Sequence, residues 1–150
     1  MRERINAALK DAMRARDQLR LSTLRLMQAA LKDQEIAKRA EEGADPLTEA
    51  EIMALLSKMV KQREDSARAY DEAGRMELAE QERAEQAVLR EFLPKPLSEK
   101  EVEAAVAQAI EETGATTIRD MGKVMGTLKS GYAGRMDFST VGPRVKAALG

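Results

Sequence analysis

A chain of 150 residues with 34% charged and only 3% aromatic side chains is long enough to bury a core and has a helical profile. It contains no cysteine and no histidine, which excludes a disulfide framework, a thiolate zinc site, a cysteine nucleophile and the commonest general base. No apolar run approaches membrane-spanning length, and the opening MRERINAALK lacks the apolar core of a signal peptide. A soluble cytoplasmic protein without membrane contact is therefore the expectation.

Residues 1–40 hold ten basic and five acidic side chains, 41–114 hold nine and nineteen, and 115–150 hold six and two. The net charge of −1 thus conceals two basic ends around an acidic middle, a pattern that suits a polyanion partner. Taken singly, each segment also reads as an ordinary solvated helix face.

In chain order, apolar spacing predicts a helix over 2–15 with Ile5, Leu9, Ala12 and Met13 inward. Asp17 can cap a second, running to about Arg39. Its apolar positions Leu21, Leu24, Leu26, Met27, Ala30 and Leu31 spread over a wide arc, which predicts contact on more than one side. Residues 41–47, with Gly43 and Pro46, read as a loop. Thr48 and Glu51 form a capping box for a helix reaching about Glu72, with Ile52, Leu55, Leu56, Met59 and Val60 in one stripe and Gly74 placed for a left-handed end. A helix over about 75–92 has only Leu78, Val88, Leu89 and Phe92 amid heavy charge, so it is expected on the surface.

Pro94 and Pro96 remove two N–H donors and force extended backbone. They predict a hinge at 94–96 between a helical N-terminal lobe, 1–93, and a three-helix C-terminal lobe, 97–150. Ser98 and Glu101 form a second capping box before the stripe Val102, Ala105, Val106, Ala109 and Ile110, which Gly114 closes. Thr117 and Asp120 repeat the signal before a helix ending near Gly131. Met121, Val124, Met125 and Leu128 are its packed face. Gly122 and Gly126 lie within it, each costing about 1 kcal/mol relative to alanine. Two explanations stay open: close packing of the helix that holds Val102–Ile110, or access of a partner to the backbone. The last helix carries Val141, Val145 and Leu149, and Pro143 places its start at Ser139 or Thr140 rather than at a cap on Asp137.

The string Asp120-Met121-Gly122-Lys123-Val124-Met125-Gly126-Thr127-Leu128-Lys129, followed by Gly134-Arg135-Met136-Asp137 and Val145-Lys146-Ala147-Ala148-Leu149, closely resembles the tail of the GatB/YqeY family. Upstream, Leu19-Arg20-Leu21-Ser22-Thr23-Leu24-Arg25, Lys61-Gln62-Arg63-Glu64-Asp65-Ser66 and Glu91-Phe92-Leu93-Pro94-Lys95 resemble its free-standing YqeY members. The resemblance covers essentially the whole chain. It implies an all-α protein whose tail module is shared with the B subunit of the tRNA-dependent amidotransferase, where that module is a tRNA-contacting appendage. It also links the chain to glutamine-dependent tRNA amidation, a carbon–nitrogen ligation, with tRNA as partner and an aminoacyl-tRNA synthetase or amidotransferase subunits as further partners. The candidate RNA-binding residues are Arg119, Gly122, Lys123, Gly126, Lys129, Arg135, Arg144 and Lys146.

No catalytic constellation accompanies them. Gly122-Lys123 fails as a phosphate loop, because Thr117 stands where the first glycine belongs and Val124 where serine or threonine belongs. The carboxylates of 80–85 and 99–103 are interspersed with cations and read as solvated charge. The serines have no histidine partner. No catalytic residue, cofactor or metal site is expected, although the amidotransferase family leaves enzymatic activity an open question. Two Tyr, two Phe and no Trp are too few for a base-stacking platform, so RNA would be read through phosphate and shape. The alternative from another class is a non-catalytic adaptor that docks a tRNA-handling enzyme, and the third is an enzyme acting alone.

Overall fold

The computed structural model describes residues 1–42 and 46–150, which form seven α-helices and no strand. The helices are α1 (Arg2–Ala15), α2 (Gln18–Glu42), α3 (Glu49–Glu72), α4 (Met76–Arg90), α5 (Glu99–Thr113), α6 (Met121–Gly131) and α7 (Phe138–Leu149), with a 3₁₀ turn, Ile118–Asp120, leading into α6. They make an all-α protein, divided into two compact units at 1–94 and 95–150.

The first unit is built on α2, which packs against α1, α3 and α4. Leu21, Leu24, Met27 and Leu31 are its buried stripe. Leu26, expected inside, is 46% exposed, and Met13 of α1 is 53% exposed. Each lies at the edge of its stripe, where a helix only 10–12 Å across leaves room for solvent. Asp17 caps α2 as expected, accepting from the Arg20 backbone N–H at 3.1 Å. Of the expected loop 41–47, Glu41 and Glu42 belong to α2 and Gly43 lies outside the described residues. Thr48 Oγ1 accepts from Glu51 N–H at 3.1 Å while Glu51 Oε1 accepts from Thr48 N–H at 3.1 Å, so the capping box is complete. At the other end of α3, Gly74 adopts φ +74°. The N–H of Arg75 reaches the Tyr70 carbonyl at 2.8 Å and that of Gly74 reaches Asp71 at 3.1 Å, the paired closure that a left-handed glycine permits.

Helix α4 overturns the surface expectation. It packs along α3 and α2, with Ala79, Glu85, Gln86, Val88 and Leu89 all buried. Two polar residues hide this in the sequence. Gln86 Nε2 donates to the Val60 carbonyl at 3.1 Å and to Glu64 Oε2 at 3.2 Å across the α3–α4 seam. Beside it, Arg63 Nε stands 2.9 Å from Glu85 Oε2 and 3.6 Å from Glu82 Oε2. Neither Arg63 Nε nor Glu82 Oε2 gains a well-aligned hydrogen bond there. One guanidinium thus serves one buried carboxylate, Glu85, and one partly buried, Glu82. Burial first, and then the charge of Glu85, push the Glu82 carboxyl above its ordinary range, against the pull of Arg63.

That imbalance has a sign. A carboxyl whose pKa is higher folded than unfolded adds nothing while both states are protonated. It weakens the fold as pH rises from the unfolded value through the folded one. Glu82→Gln is therefore expected to raise the thermal midpoint of this unit at about pH 7 by relieving about 1 kcal/mol, roughly 4–8 °C. The gain should shrink as pH falls through the raised Glu82 value and be gone below the ordinary carboxylate range. Four other carboxyls, Glu51 beside Lys38, Asp71 beside Arg83, Glu101 on the Ser98 N–H and Asp120 on the Thr116 N–H, are shifted down. Their stabilisation is lost on acidification, but both proteins share it, so the difference between the two melts isolates Glu82. A gain that does not vary with pH would contradict this origin.

In the second unit α5, α6 and α7 pack together over Ala105, Val106, Ala109, Val124, Leu128, Met136, Val141 and Val145. Ser98 and Glu101 complete the second capping box at 3.2 Å in each direction, and Gly114 closes α5 at φ +66°. Helix α7 begins at Phe138, earlier than expected. Asp137 caps it after all, its Oδ1 accepting from the Ser139 N–H at 3.0 Å. Pro143 lies inside the helix and is exposed. Its missing N–H would have met only the Ser139 carbonyl, so one bond is forgone and the helix carries on. Among the described residues, no helix is long and apolar enough to cross a membrane.

Candidate nucleic-acid interface

Helix α6 sorts its residues onto two faces at about 100° per residue. Val124 and Leu128 are fully buried and Met121 and Met125 half-buried, which fixes the inner face. Opposite them the same geometry groups Gly122 and Gly126, with Lys123 towards one edge, Lys129 towards the other, and Arg119 just before the first turn. All five are exposed. Asp120 organises the entry: its Oδ2 accepts from the N–H of Thr116 at 3.0 Å and of Thr117 at 3.3 Å. These bonds hold its carboxyl below the usual range, so it stays charged at the positive end of the helix.

The two glycines decide between the explanations left open by the sequence. A Cβ built on Gly122 or on Gly126 would meet nothing within 4 Å. No helix presses on either, so close packing does not account for them. Both leave the α6 backbone bare between flanking cations.

The remaining candidates divide. On α7, Gly142 lies against α6, where an added Cβ would stand 3.8 Å from the Met121 methyl, and Gly150 lies near Ile118 in the same way at 3.7 Å. Lys146 is four residues from each, so it lies on the side of α7 that borders the start of α6. Arg144 lies well round the helix and turns to α5, donating to Glu99 Oε1 at 2.9 Å. Arg135 is also engaged within the unit. Its Nε donates to the Lys95 carbonyl at 3.1 Å and its own carbonyl accepts from Leu97 N–H at 2.9 Å, tying down the proline segment. By contrast, Arg119, Lys129 and Lys146 have no ion-pair or side-chain hydrogen-bond partner among the described residues. The charge of Lys123 adds to the backbone hydrogen bonds that hold the Asp120 carboxyl down. The structure thus groups Arg119, Gly122, Lys123, Gly126 and Lys129 along α6 and its entry, leaves Lys146 on the side of α7 that borders the start of α6, and sets Arg135 and Arg144 to internal work. Ser130, exposed and four residues after Gly126, shares the face and was missed. Its i+4 spacing was the available signal. Among the described residues no cluster of His, Cys, Asp or Glu is arranged to hold a metal ion.

An all-helical protein with a basic, glycine-bearing tail helix is the class that fold and surface define. The chain belongs to the YqeY family: the model of the Yqey-like proteins matches residues 2–149. It is similar to the Altered inheritance of mitochondria protein 41, mitochondrial, of Pyrenophora tritici-repentis, with 30% identity over 98% of this chain and 80% of that protein. The proteins of the same name from Clavispora lusitaniae and Lachancea thermotolerans are 36% and 33% identical over 57% and 69% of this chain. Those matches span about half of each relative's length, 46% and 54%.

These relatives correct one expectation. All three are named as mitochondrial proteins, so the cytoplasmic assignment does not stand. Its basis was a charged, helical chain without an apolar span, and neither feature identifies a compartment.

Proposed function

We propose that this YqeY-family chain is a non-catalytic tRNA-binding accessory protein, linked to glutamine-dependent tRNA amidation by its resemblance to the amidotransferase tail. One observation carries the reading: two exposed glycines leave the α6 backbone bare among exposed cations, of which Arg119 and Lys129 have no partner among the described residues. A bare helix backbone admits a phosphodiester strand closely, and lysines and arginines on either side supply counterion release. Arg119, Gly122, Lys123, Gly126, Lys129 and Lys146 are the contact residues. Phosphate contacts fix position without reading sequence, so different tRNAs bind with similar affinity and lose it together as salt rises. An aminoacyl-tRNA synthetase or amidotransferase subunit would join through the shared tRNA. The test is recovery of such proteins by the tagged chain with and without RNase. Recovery abolished by RNase is the expected result, and RNase-resistant recovery of a protein partner would replace tRNA binding by protein docking.

A further inference from the structure

The first unit carries a second cationic surface that none of the α6 chemistry uses. On α2, Arg25, Lys32 and Arg39 recur at intervals of seven residues, about two helical turns and roughly 10 Å apart, so they share one face. All three are exposed, and none has a partner among the described residues. Three other cations of α1 and α2 are already engaged: Arg2 on Glu35, Arg20 on Glu91, and Lys38 on Glu51 at 2.6 Å. Of the nearby acids, Glu35 is held by Arg2 and Asp33 lies about 100° round the helix from Lys32. Neither of these two acids neutralises the stripe.

Lys32 and Arg39 also line a cleft of about 350 Å³ between α1 and α2, together with Asn6, Gln28, Ile36 and the paired Arg2 and Glu35. Across it Gln28 Nε2 donates to Asn6 Oδ1 at 2.7 Å. That pair keeps further donor and acceptor capacity, and the ribose 2′-hydroxyl is itself both donor and acceptor. A concave site with cations along one wall and a paired amide across it matches a ribose–phosphate backbone.

We infer that the α2 stripe Arg25–Lys32–Arg39 and its cleft form a second RNA-backbone contact, on a different unit from the α6 face. It rests on the tRNA reading above, and it accounts for the basic first forty residues that α6 leaves unexplained. Two weak contacts on one chain act with an effective concentration, so each strengthens the other without new chemistry.

The test uses the full chain, unfractionated tRNA and filter binding at several salt concentrations. Three proteins are compared: wild type, an α2 variant (Arg25→Gln, Lys32→Gln, Arg39→Gln) and an α6–α7 variant (Lys123→Gln, Lys129→Gln, Lys146→Gln). Glutamine keeps helix propensity close to that of the residues replaced, and melting curves check the fold. The α2 variant should lower the slope of log affinity against log salt by roughly two to three units. A charge-conserving variant, Arg25→Lys with Arg39→Lys, should keep the wild-type slope. Replacing Asn6 with Ala should narrow the preference for an RNA hairpin over a DNA hairpin of matching sequence. An α2 variant that binds like wild type overturns this inference while leaving the α6 reading intact. Loss in the α2 variant with none in the α6–α7 variant supports the α2 site and removes α6 from the interface. A wild type that binds no tRNA overturns both.

Discussion

Leu89→Ala is expected to destabilise the N-terminal unit by roughly 2–5 kcal/mol, equivalent to a fall in its melting temperature of the order of 10 °C or more. Leu89 is fully buried, as are Leu24 and Leu56 of the same core. It sits where α4 meets α2 and α3, so truncation leaves a cavity lined by two other helices that cannot collapse without moving. A leucine on a surface helix would cost no more than about 0.5 kcal/mol. The chain offers a convenient reporter, because it has only two tyrosines. Tyr70 lies on α3, and Tyr132 in the second unit. With Tyr132→Phe as background, Tyr70 emission follows the first unit alone through a urea titration. A midpoint unchanged by Leu89→Ala would return α4 to the surface and undo the description of this core.

Replacing Lys123, Lys129 and Lys146 together with alanine is expected to weaken tRNA binding roughly 10²–10³-fold near 0.1 M salt. The figure follows from counterion release. Each phosphate contact contributes about 0.7–0.9 to the slope of log affinity against log salt, so three contacts contribute roughly 2–2.7, and a tenfold dilution from 1 M salt amplifies the difference by that power of ten. Near 1 M the variant and wild type should converge. The fold should respond modestly, since all three side chains are exposed and Lys129, in the last turn of α6, and Lys146, in the last turn of α7, each favour a helix dipole by about 0.3–1 kcal/mol. Equal losses for unrelated tRNAs are part of the expectation, because phosphate contacts carry no sequence information. A loss confined to one tRNA would point to base recognition instead.

What the sequence shows and what it conceals divide by range. Both capping boxes, the left-handed glycines at 74 and 114 and the helix over 2–15 rest on residues within one turn of each other, and each appears as read. Helix α4 was misjudged because it is buried through alanine, Glu85 and Gln86. The Gln86 partners, Val60 and Glu64, lie more than twenty residues back. Charge density marks such a helix as solvated unless its partner is known. Arg135 and Arg144 illustrate the same point in the candidate site. Their acceptors, on Lys95 and Glu99, are 40 and 45 residues away, so no local pattern could mark these cations as engaged. Pro143 argued against a cap on Asp137, whereas the cap forms and the helix absorbs the proline. The glycine pair was visible as a cost from the start, but only the positions of α5 and α7 show that neither helix fills the space.

Gly126→Ala tests the central claim most directly, because it changes neither charge nor any packed contact. The added methyl group meets nothing within 4 Å, and alanine favours the helix by about 1 kcal/mol, so the second unit should melt at a higher temperature. If the bare backbone receives a phosphodiester strand, that same methyl group stands in its path, and tRNA affinity should fall with the salt slope little altered. A variant that melts higher and binds tRNA as tightly as wild type would contradict the account, leaving the α6 glycines without a role in binding.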